Sequence, residues 1–139
     1  PALADQIKTP KDLQKLPVIH QNSGDVLADY ENWSKWCDTV GLTLKDQNGP
    51  VFTTPDAALN YAENGGGVVL GRISLAERLL EAGRLVMPLT ETIRTNLRYR
   101  LVCPLGTEAQ PNLVIFRQWL HQEIAELQVW DKDRRFLPH

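Results

Sequence analysis

The chain alternates repeatedly between short apolar runs and stretches with helical spacing of hydrophobic residues. In DYENWSKWCDTVGL, Trp33, Trp36, Cys37 and Val40 stand at i, i+3, i+4 and i+7, which predicts a helix with one apolar face. Further helices are predicted in TPKDLQKLP, TPDAALNYAENG, LAERLLEA and PNLVIFRQWLHQEIAELQVW. Apolar runs predict strands in PVIH, PVFTT, VVLG, RLVMPL and LRYRLVCP. This alternation predicts an α/β fold with an open, mostly parallel sheet and helices on both faces.

Residues near the helix ends indicate where two of the predicted helices begin. Thr54 can cap the helix that Pro55 begins, and Ser74 with Glu77 has the spacing of a capping box for the next helix. The last helix carries an apolar stripe made of Leu113, Phe116, Leu120, Ile124 and Leu127. The polar tail after it, DKDRRFLPH, is expected to be frayed.

Three consecutive glycines, Gly65 to Gly67, raise the question of a phosphate-binding loop. Such a loop follows a strand and precedes a helix, so that the N-terminus of the helix meets the anion. Here a predicted helix comes before the glycines and the predicted strand VVLG comes after them. The glycines are therefore predicted to end the helix and to form a tight entry into the strand.

Composition and charge exclude several classes of protein. The chain has 139 residues, 42% of them hydrophobic, with a formal net charge of −2. Its cationic residues are scattered, so no nucleic-acid-binding surface is expected. No run reaches membrane-spanning length and no leader is recognisable, which predicts a soluble protein. Cys37 and Cys103 form no metal or disulfide pattern and are predicted to be buried thiols in a reducing cytoplasm.

Candidate ligand-binding residues follow the predicted strands, because ligands of parallel sheets bind at the carboxyl ends of the strands. Hydroxyl groups beside a helix N-terminus can receive a carboxylate, and an arginine can add a charged pair. These positions hold Gln21, Asn22, Ser23, Thr53, Thr54 and Arg72. They indicate a small anionic or amphoteric ligand. Thr54 can instead serve only as a helix cap, and Arg72 only as a solvated strand end.

No catalytic or metal site is predicted. The chain lacks a GxSxG motif, and its three histidines, His20, His121 and His139, have no ligand spacing with one another or with the cysteines. His20 is interpreted as a hydrogen-bonding residue at a strand end. Asp131 and Asp133 are interpreted as solvated tail residues. We therefore expect neither an enzyme nor a cofactor.

The motifs as a set resemble the carboxyl half of LysR-type transcriptional regulators, in the subgroup that controls glycine cleavage and β-lactamase. The most specific motif is F-x-x-x-x-x-A-L-x-x-A-x-x-G-x-G-V-x-L-G-R, from Phe52 to Arg72. It is followed by L-x-x-G-R-L-V-x-P and then by Y-x-L-V-C-P. The similarity runs from the first residues to about Leu127.

This resemblance implies the second lobe of a type 2 periplasmic-binding-protein-like effector domain. Residues 1–103 would be that lobe, residues 104–130 a return segment and a helix that packs on a first lobe, and residues 131–139 a polar tail. A small effector would lie between the lobes, with Thr53, Thr54 and Tyr99 matching family pocket positions. The proline of TTPD departs from many relatives and removes one backbone donor near that pocket.

The resemblance also implies partners and alternatives. The protein would be a cytoplasmic homo-oligomer, a dimer or tetramer, without membrane contact. It would reach DNA only through an N-terminal helix-turn-helix that these residues lack, as in a cut or degraded regulator. Two other functions stay open: the lobe of a solute-binding protein, and a pure dimerisation module in which the stripe of the last helix pairs with another copy.

Overall fold

A computed structural model describes residues 3–22, 33–44, 49–94, 99–127, 130 and 132–137. Ser23 lies outside the described residues. Two short 3-10 helices, Ala4–Gln6 and Pro10–Lys15, precede the first strand. The helices that follow are α1 Trp33–Val40, α2 Pro55–Glu63, α3 Ile73–Glu81 and α4 Pro111–Leu127. The strands are β1 Val18–Gln21, β2 Val51–Phe52, β3 Val68–Val69, β4 Glu91–Ile93 and β5 Arg135–Leu137.

The first three strands form one parallel sheet in the order β2-β1-β3. The register pairs Gln21 with Phe52 on one side of β1 and Ile19 with Val69 on the other. Strand and helix alternate through this region, as the sequence predicts, and the predicted α/β class with parallel strands is confirmed. The carboxyl ends of all three strands consequently point toward the same edge of the sheet.

The central strand β1 is buried between two layers. Neighbouring side chains of a strand point to opposite faces, so Val18 and Ile19 lie on different faces of the sheet. Val18 belongs to the main core cluster, with Trp33, Trp36 and Cys37 of α1. On the sheet, α2 contacts β1, β2 and β3. The tryptophans predicted to be buried are buried, and the indole N–H of Trp33 donates to the Ile19 carbonyl at 2.9 Å.

The second half of the chain departs from the predicted single sheet. Residues 84–89, predicted as a strand, form no strand, and neither do residues 99–104. The backbone N–H groups of Arg84 and Leu85 both turn back to the Leu79 carbonyl, at 2.8 and 3.0 Å, which closes α3 and bends the chain. The predicted frayed tail is also wrong in part, because β5 pairs in parallel with β4 in a separate two-stranded sheet.

Of the caps predicted for α2 and α3, the cap of α2 is confirmed. The hydroxyl oxygen of Thr54 accepts the backbone N–H of Ala57 at 3.4 Å, and Pro55 begins α2. The predicted capping box of Ser74 is wrong, since α3 already begins at Ile73. Its first turn closes on the carbonyl of Arg72, which accepts the N–H groups of residues 75 and 76 at 3.1 Å each.

The two cysteines differ in burial, whereas the sequence predicted that both would be buried. Cys37 is buried in the core, and this burial raises the pKa of its thiol, with a smaller contribution from the carboxylate of Asp38. Cys103 is exposed, because the chain around it is not packed into either sheet.

We expect the native protein to react with a thiol reagent such as Ellman's reagent at one cysteine only, Cys103. The buried, protonated thiol of Cys37 should react only after unfolding in urea, since the thiolate is the reactive form. Absorbance at saturation should therefore double on denaturation. A Cys103→Ser variant is the control and should show no fast reaction. Rapid reaction of two thiols in the folded protein would contradict the burial of Cys37.

Candidate functional site

The carboxyl ends of β1 and β2 bring four predicted ligand-binding residues together. Beyond the last register pair, the backbone N–H of Asn22 donates to the Phe52 carbonyl at 2.8 Å. This bond sets Gln21 and Asn22 beside the residues that follow β2, Thr53 and Thr54. We call these four residues, with the N-terminus of α2, the strand-end edge. Gln21 is half-buried, and the other three residues are exposed.

The chemistry of the strand-end edge is polar and mixed. Thr54 uses its hydroxyl oxygen as the cap of α2, which still leaves the hydroxyl proton to donate. Thr53 adds a second, exposed hydroxyl, and the side-chain amides of Gln21 and Asn22 are both donors and acceptors. Asp56 lies in the first turn of α2 and contributes a carboxylate. The edge can therefore meet an acidic group and a basic group of one small molecule.

Arg72 and Tyr99 belong to a different surface feature from those four residues. Both line an open groove of about 920 Å³, which none of the four strand-end residues lines. Arg72 is half-buried just before α3, and the Tyr99 side chain is 79% exposed. The predicted site residues thus form two sets, the strand-end edge and this groove.

The groove is mostly apolar and carries cationic groups that the sequence analysis missed. Its walls include residues of α1, α3, β3 and the segment Leu85 to Leu89. Arg134 donates from Nη1 to the Leu89 carbonyl at 2.7 Å, and the Arg94 guanidinium lies 4.2 Å from the centre of the Phe136 ring. The apolar pair Phe136 and Leu137 was the available signal, but the charged residues around it favoured a solvated tail.

His20 does not behave as predicted. Its Nε2 atom is buried and has no hydrogen-bond partner among the described residues, whereas the sequence suggested a hydrogen-bonding role. The side chain lies near Gly49, where an added Cβ would approach it at 3.2 Å. In the described ranges, no group of three or more His, Cys, Asp or Glu residues could hold a metal ion. No helix there is long and apolar enough to cross a membrane.

Residues 1–125 match the family model described as the LysR substrate binding domain. The chain belongs to this family. A LysR relative, the glycine cleavage system transcriptional activator of Escherichia coli K12, is 31% identical over 120 residues, which are 86% of this chain and 37% of the activator. The transcriptional activator AmpR of Citrobacter freundii is 30% identical over 122 residues, 86% of this chain and 40% of AmpR.

Solved LysR structures agree with this assignment. The effector binding domain of AmpR from Citrobacter freundii superimposes with a TM-score of 0.62 at 27% identity, covering 91% of this chain and 60% of that domain. A form of the same domain with three substitutions gives a TM-score of 0.61. The fold predicted from the resemblance, a type 2 periplasmic-binding-protein-like lobe, is confirmed. The chain spans about 37 to 40% of these curated relatives.

Proposed function

We propose that this chain is the effector-sensing lobe of a bacterial LysR-type transcriptional regulator. It binds a small anionic or amino-acid-like molecule at the strand-end edge, between this lobe and a first lobe. The observation that carries the proposal is the bond from Asn22 to the Phe52 carbonyl, which sets two amide side chains beside two threonine hydroxyls ahead of α2. The names of the relatives, activators with effector binding domains, support the same function.

The remaining predicted contacts complete this proposal. In this proposal Arg72 and Tyr99, which line the groove, are further effector contacts, and Ser23, predicted together with them, lies outside the described residues. An amino-acid-like ligand fits better than a simple anion, because Asp56 opposes a purely negative molecule and attracts an ammonium group. The threonine hydroxyls and the N-terminus of α2 then hold the carboxylate.

The mechanism needs no bond to be made or broken. A ligand between two lobes stabilises the arrangement of lobes that it contacts best, and it shifts the regulator only by its differential affinity for the two arrangements. In this proposal, residues 1–103 form the lobe, and residues 104–130 return to pack on the first lobe. DNA is bound by a helix-turn-helix elsewhere in the regulator. The regulator acts in the cytoplasm.

Thr53→Val is expected to weaken effector binding by about tenfold or more, because a hydrogen bond to a charged group contributes about 1.5 to 3 kcal/mol. Thr53 does not cap α2, so stability should change little. Isothermal titration calorimetry of the intact regulator with amino acids, small organic acids and muropeptides measures the effect. Thr43→Val, an exposed threonine outside the edge, is the control. Equal affinities for Thr53→Val and the unsubstituted protein would remove this edge from the binding site.

A second function, association with another copy, is favoured by α4. This helix exposes large apolar side chains, namely Ile115, Phe116, Trp119 and Ile124. Two members of the predicted stripe, Leu113 and Leu120, are half-buried, and the side chain of Leu127 is not described. The exposed set is large enough to form an apolar contact patch between copies. Both functions can hold in one protein, since a LysR effector lobe can also be an oligomer contact.

We expect Phe116→Glu to shift the 139-residue chain from dimer toward monomer, since a charge would enter an apolar contact. Light scattering coupled to size exclusion at several protein concentrations measures the mass. His121→Glu, an exposed substitution on the same helix that adds the same charge, is the control. A monomer at high concentration before any substitution would refute the association through α4.

A further inference from the structure

The glycine run after α2 begins with a chemically reactive pair, Asn64-Gly65, which the proposed function does not use. A backbone nitrogen can attack the side-chain amide carbon of the asparagine before it, and glycine hinders this attack least because it has no Cβ. Asn64 is the residue at which α2 ends, and both Asn64 and Gly65 are exposed. Solvent therefore reaches the two groups that would react.

The folded chain holds both reacting groups in other hydrogen bonds. The amide nitrogen Nδ2 of Asn64 donates to the backbone carbonyl of Asn60 at 2.8 Å and to its side-chain Oδ1 at 3.0 Å. The attacking group, the backbone N–H of Gly65, donates to the Ala62 carbonyl at 3.0 Å. The reaction consequently requires the last turn of α2 to open first.

A salt bridge fastens the same turn of α2. Arg84, which follows α3, donates from Nε to Oε1 of Glu63, the last residue of α2. Because Arg84 is exposed, this ion pair contributes only a modest part of the free energy needed to open the turn. Opening of the turn therefore breaks the ion pair together with the hydrogen bonds of Asn64.

We propose that Asn64 is a modification site, a deamidation site that becomes reactive when the last turn of α2 opens. In the open state, the Gly65 nitrogen loses its proton to solvent and bonds to Cγ of Asn64, and Nδ2 leaves as ammonia after taking a proton from solvent. The five-membered imide that results takes up one water, which breaks one of its two ring C–N bonds. The product is aspartate or isoaspartate, with one ammonia released for each water consumed.

Either product removes the cap that ends α2. An aspartate carboxylate has no N–H to donate to Asn60, and its negative charge lies at the negative end of the helix dipole. Isoaspartate adds a backbone methylene before a connection that has no spare room, since a Cβ on Gly66 would lie 2.2 Å from the Tyr61 ring. The modified chain therefore favours the open turn, and refolding does not restore the lost amide.

Mass spectrometric peptide mapping of the 139-residue chain, aged at one alkaline pH with and without denaturing urea, tests this proposal. Cleavage after Glu63 with a glutamate-specific protease separates Asn64 from Asn48, the other asparagine that precedes a glycine. We expect Asn64 to deamidate about tenfold or more slowly in the folded chain than in urea, because only the open fraction reacts. Asn60, which precedes a tyrosine, is the internal control and should react much more slowly in urea than Asn64.

A matched pair of arginine substitutions tests the role of the salt bridge. Arg84→Ala removes the ion pair with Glu63 and should speed deamidation of the folded chain by about threefold. Arg78→Ala, an exposed substitution on α3, removes the same charge but no bond to Glu63, and it should leave the rate unchanged. In urea, where α2 is unfolded, both variants and the unsubstituted chain should react at the same rate.

A carboxylate placed directly at the end of α2 tests the consequence of the modification. Asn64→Asp should lower the urea midpoint of unfolding by about 0.5 M, whereas Gln118→Glu, the same change of amide to carboxylate at an exposed position of α4, should not. Equal rates at Asn64 in the folded and unfolded chain, or no reaction there in urea, would overturn the proposal. Equal rates for the two arginine variants in the folded chain, or equal midpoints for the two carboxylate variants, would do the same.

Discussion

Gly67→Ala should lower the free energy of unfolding by about 3 kcal/mol or more, because the site lacks both the conformation and the space for a side chain. The φ angle of Gly67 is 146°, which L side chains rarely adopt, and an added Cβ would lie 2.4 Å from the Pro17 carbonyl oxygen. That oxygen accepts the Val68 N–H, so relieving the clash would open the pairing of β1 with β3. Urea denaturation followed by circular dichroism measures the change.

Gly71→Ala is the matched control for this substitution. Gly71 has no positive φ, and an added Cβ there would meet only the Leu59 side chain, at 3.4 Å. Its stability should stay within about 1 kcal/mol of the unsubstituted protein. Equal stabilities of Gly67→Ala and Gly71→Ala would contradict the claim that the connection from α2 to β3 has no space for a side chain at Gly67. They would also contradict this explanation of the glycine run.

Trp33→Ala should cost about 3 to 5 kcal/mol, the usual cost of removing a large buried aromatic side chain. The Trp33 side chain is only 5% exposed, and its ring lies edge-on to that of Trp36 at 5.8 Å between centres. Its indole N–H also satisfies the carbonyl of Ile19 in the central strand. The substitution therefore removes apolar contact between α1 and the sheet, and it also leaves a buried acceptor without its partner.

Trp119→Ala tests whether the loss of stability expected for Trp33→Ala comes from burial or from the type of residue removed. Trp119 is 48% exposed on α4, so its removal should change the free energy of unfolding by only about 0.5 kcal/mol. Urea titrations of both variants, monitored by far-ultraviolet circular dichroism, compare the two tryptophans directly. Similar losses for both would mean that α1 contributes less to the core than its burial indicates.

The first half of the fold could be predicted from the sequence because its local signals agree. Trp33, Trp36 and Cys37 repeat with helical spacing, and the Thr54 cap and Pro55 mark the beginning of α2. Each of these signals depends on residues near one another in the chain. The order β2-β1-β3 depends on contacts between distant residues, and the alternating pattern supplied only the parallel direction of the strands.

The second half could not be predicted in the same way. The apolar pattern of Leu85 to Leu89 reports that the segment can pair in a sheet, but pairing also needs a neighbour at the right place. Cys103 was predicted to be buried for the same reason, from apolar neighbours alone. Strand β5 was not predicted because the residues around Arg134 are polar. A two-stranded sheet at the surface needs few apolar residues, so its sequence pattern is weak.

The candidate site was predictable in its location and less so in its extent. Gln21, Asn22, Thr53 and Thr54 meet at one edge because parallel strands end together, which is a rule of geometry and needs no knowledge of side-chain packing. Arg72 and Tyr99 line the groove instead, since their positions depend on how α3 and the chain beyond β4 pack. Arg94 and Arg134 also line the groove, but the sequence predicted no site residue in the segments that contain them.

Helix α2 touches all three strands of the main sheet, and this arrangement has a mechanical consequence. Its first turn belongs to the strand-end edge, while Leu59 and Ala62, farther along, line the groove. A short helix moves as a stiff rod, so a tilt at one end displaces the other. A displacement of the first turn would therefore be transmitted to the groove through Leu59 and Ala62, and to the strands on which α2 packs.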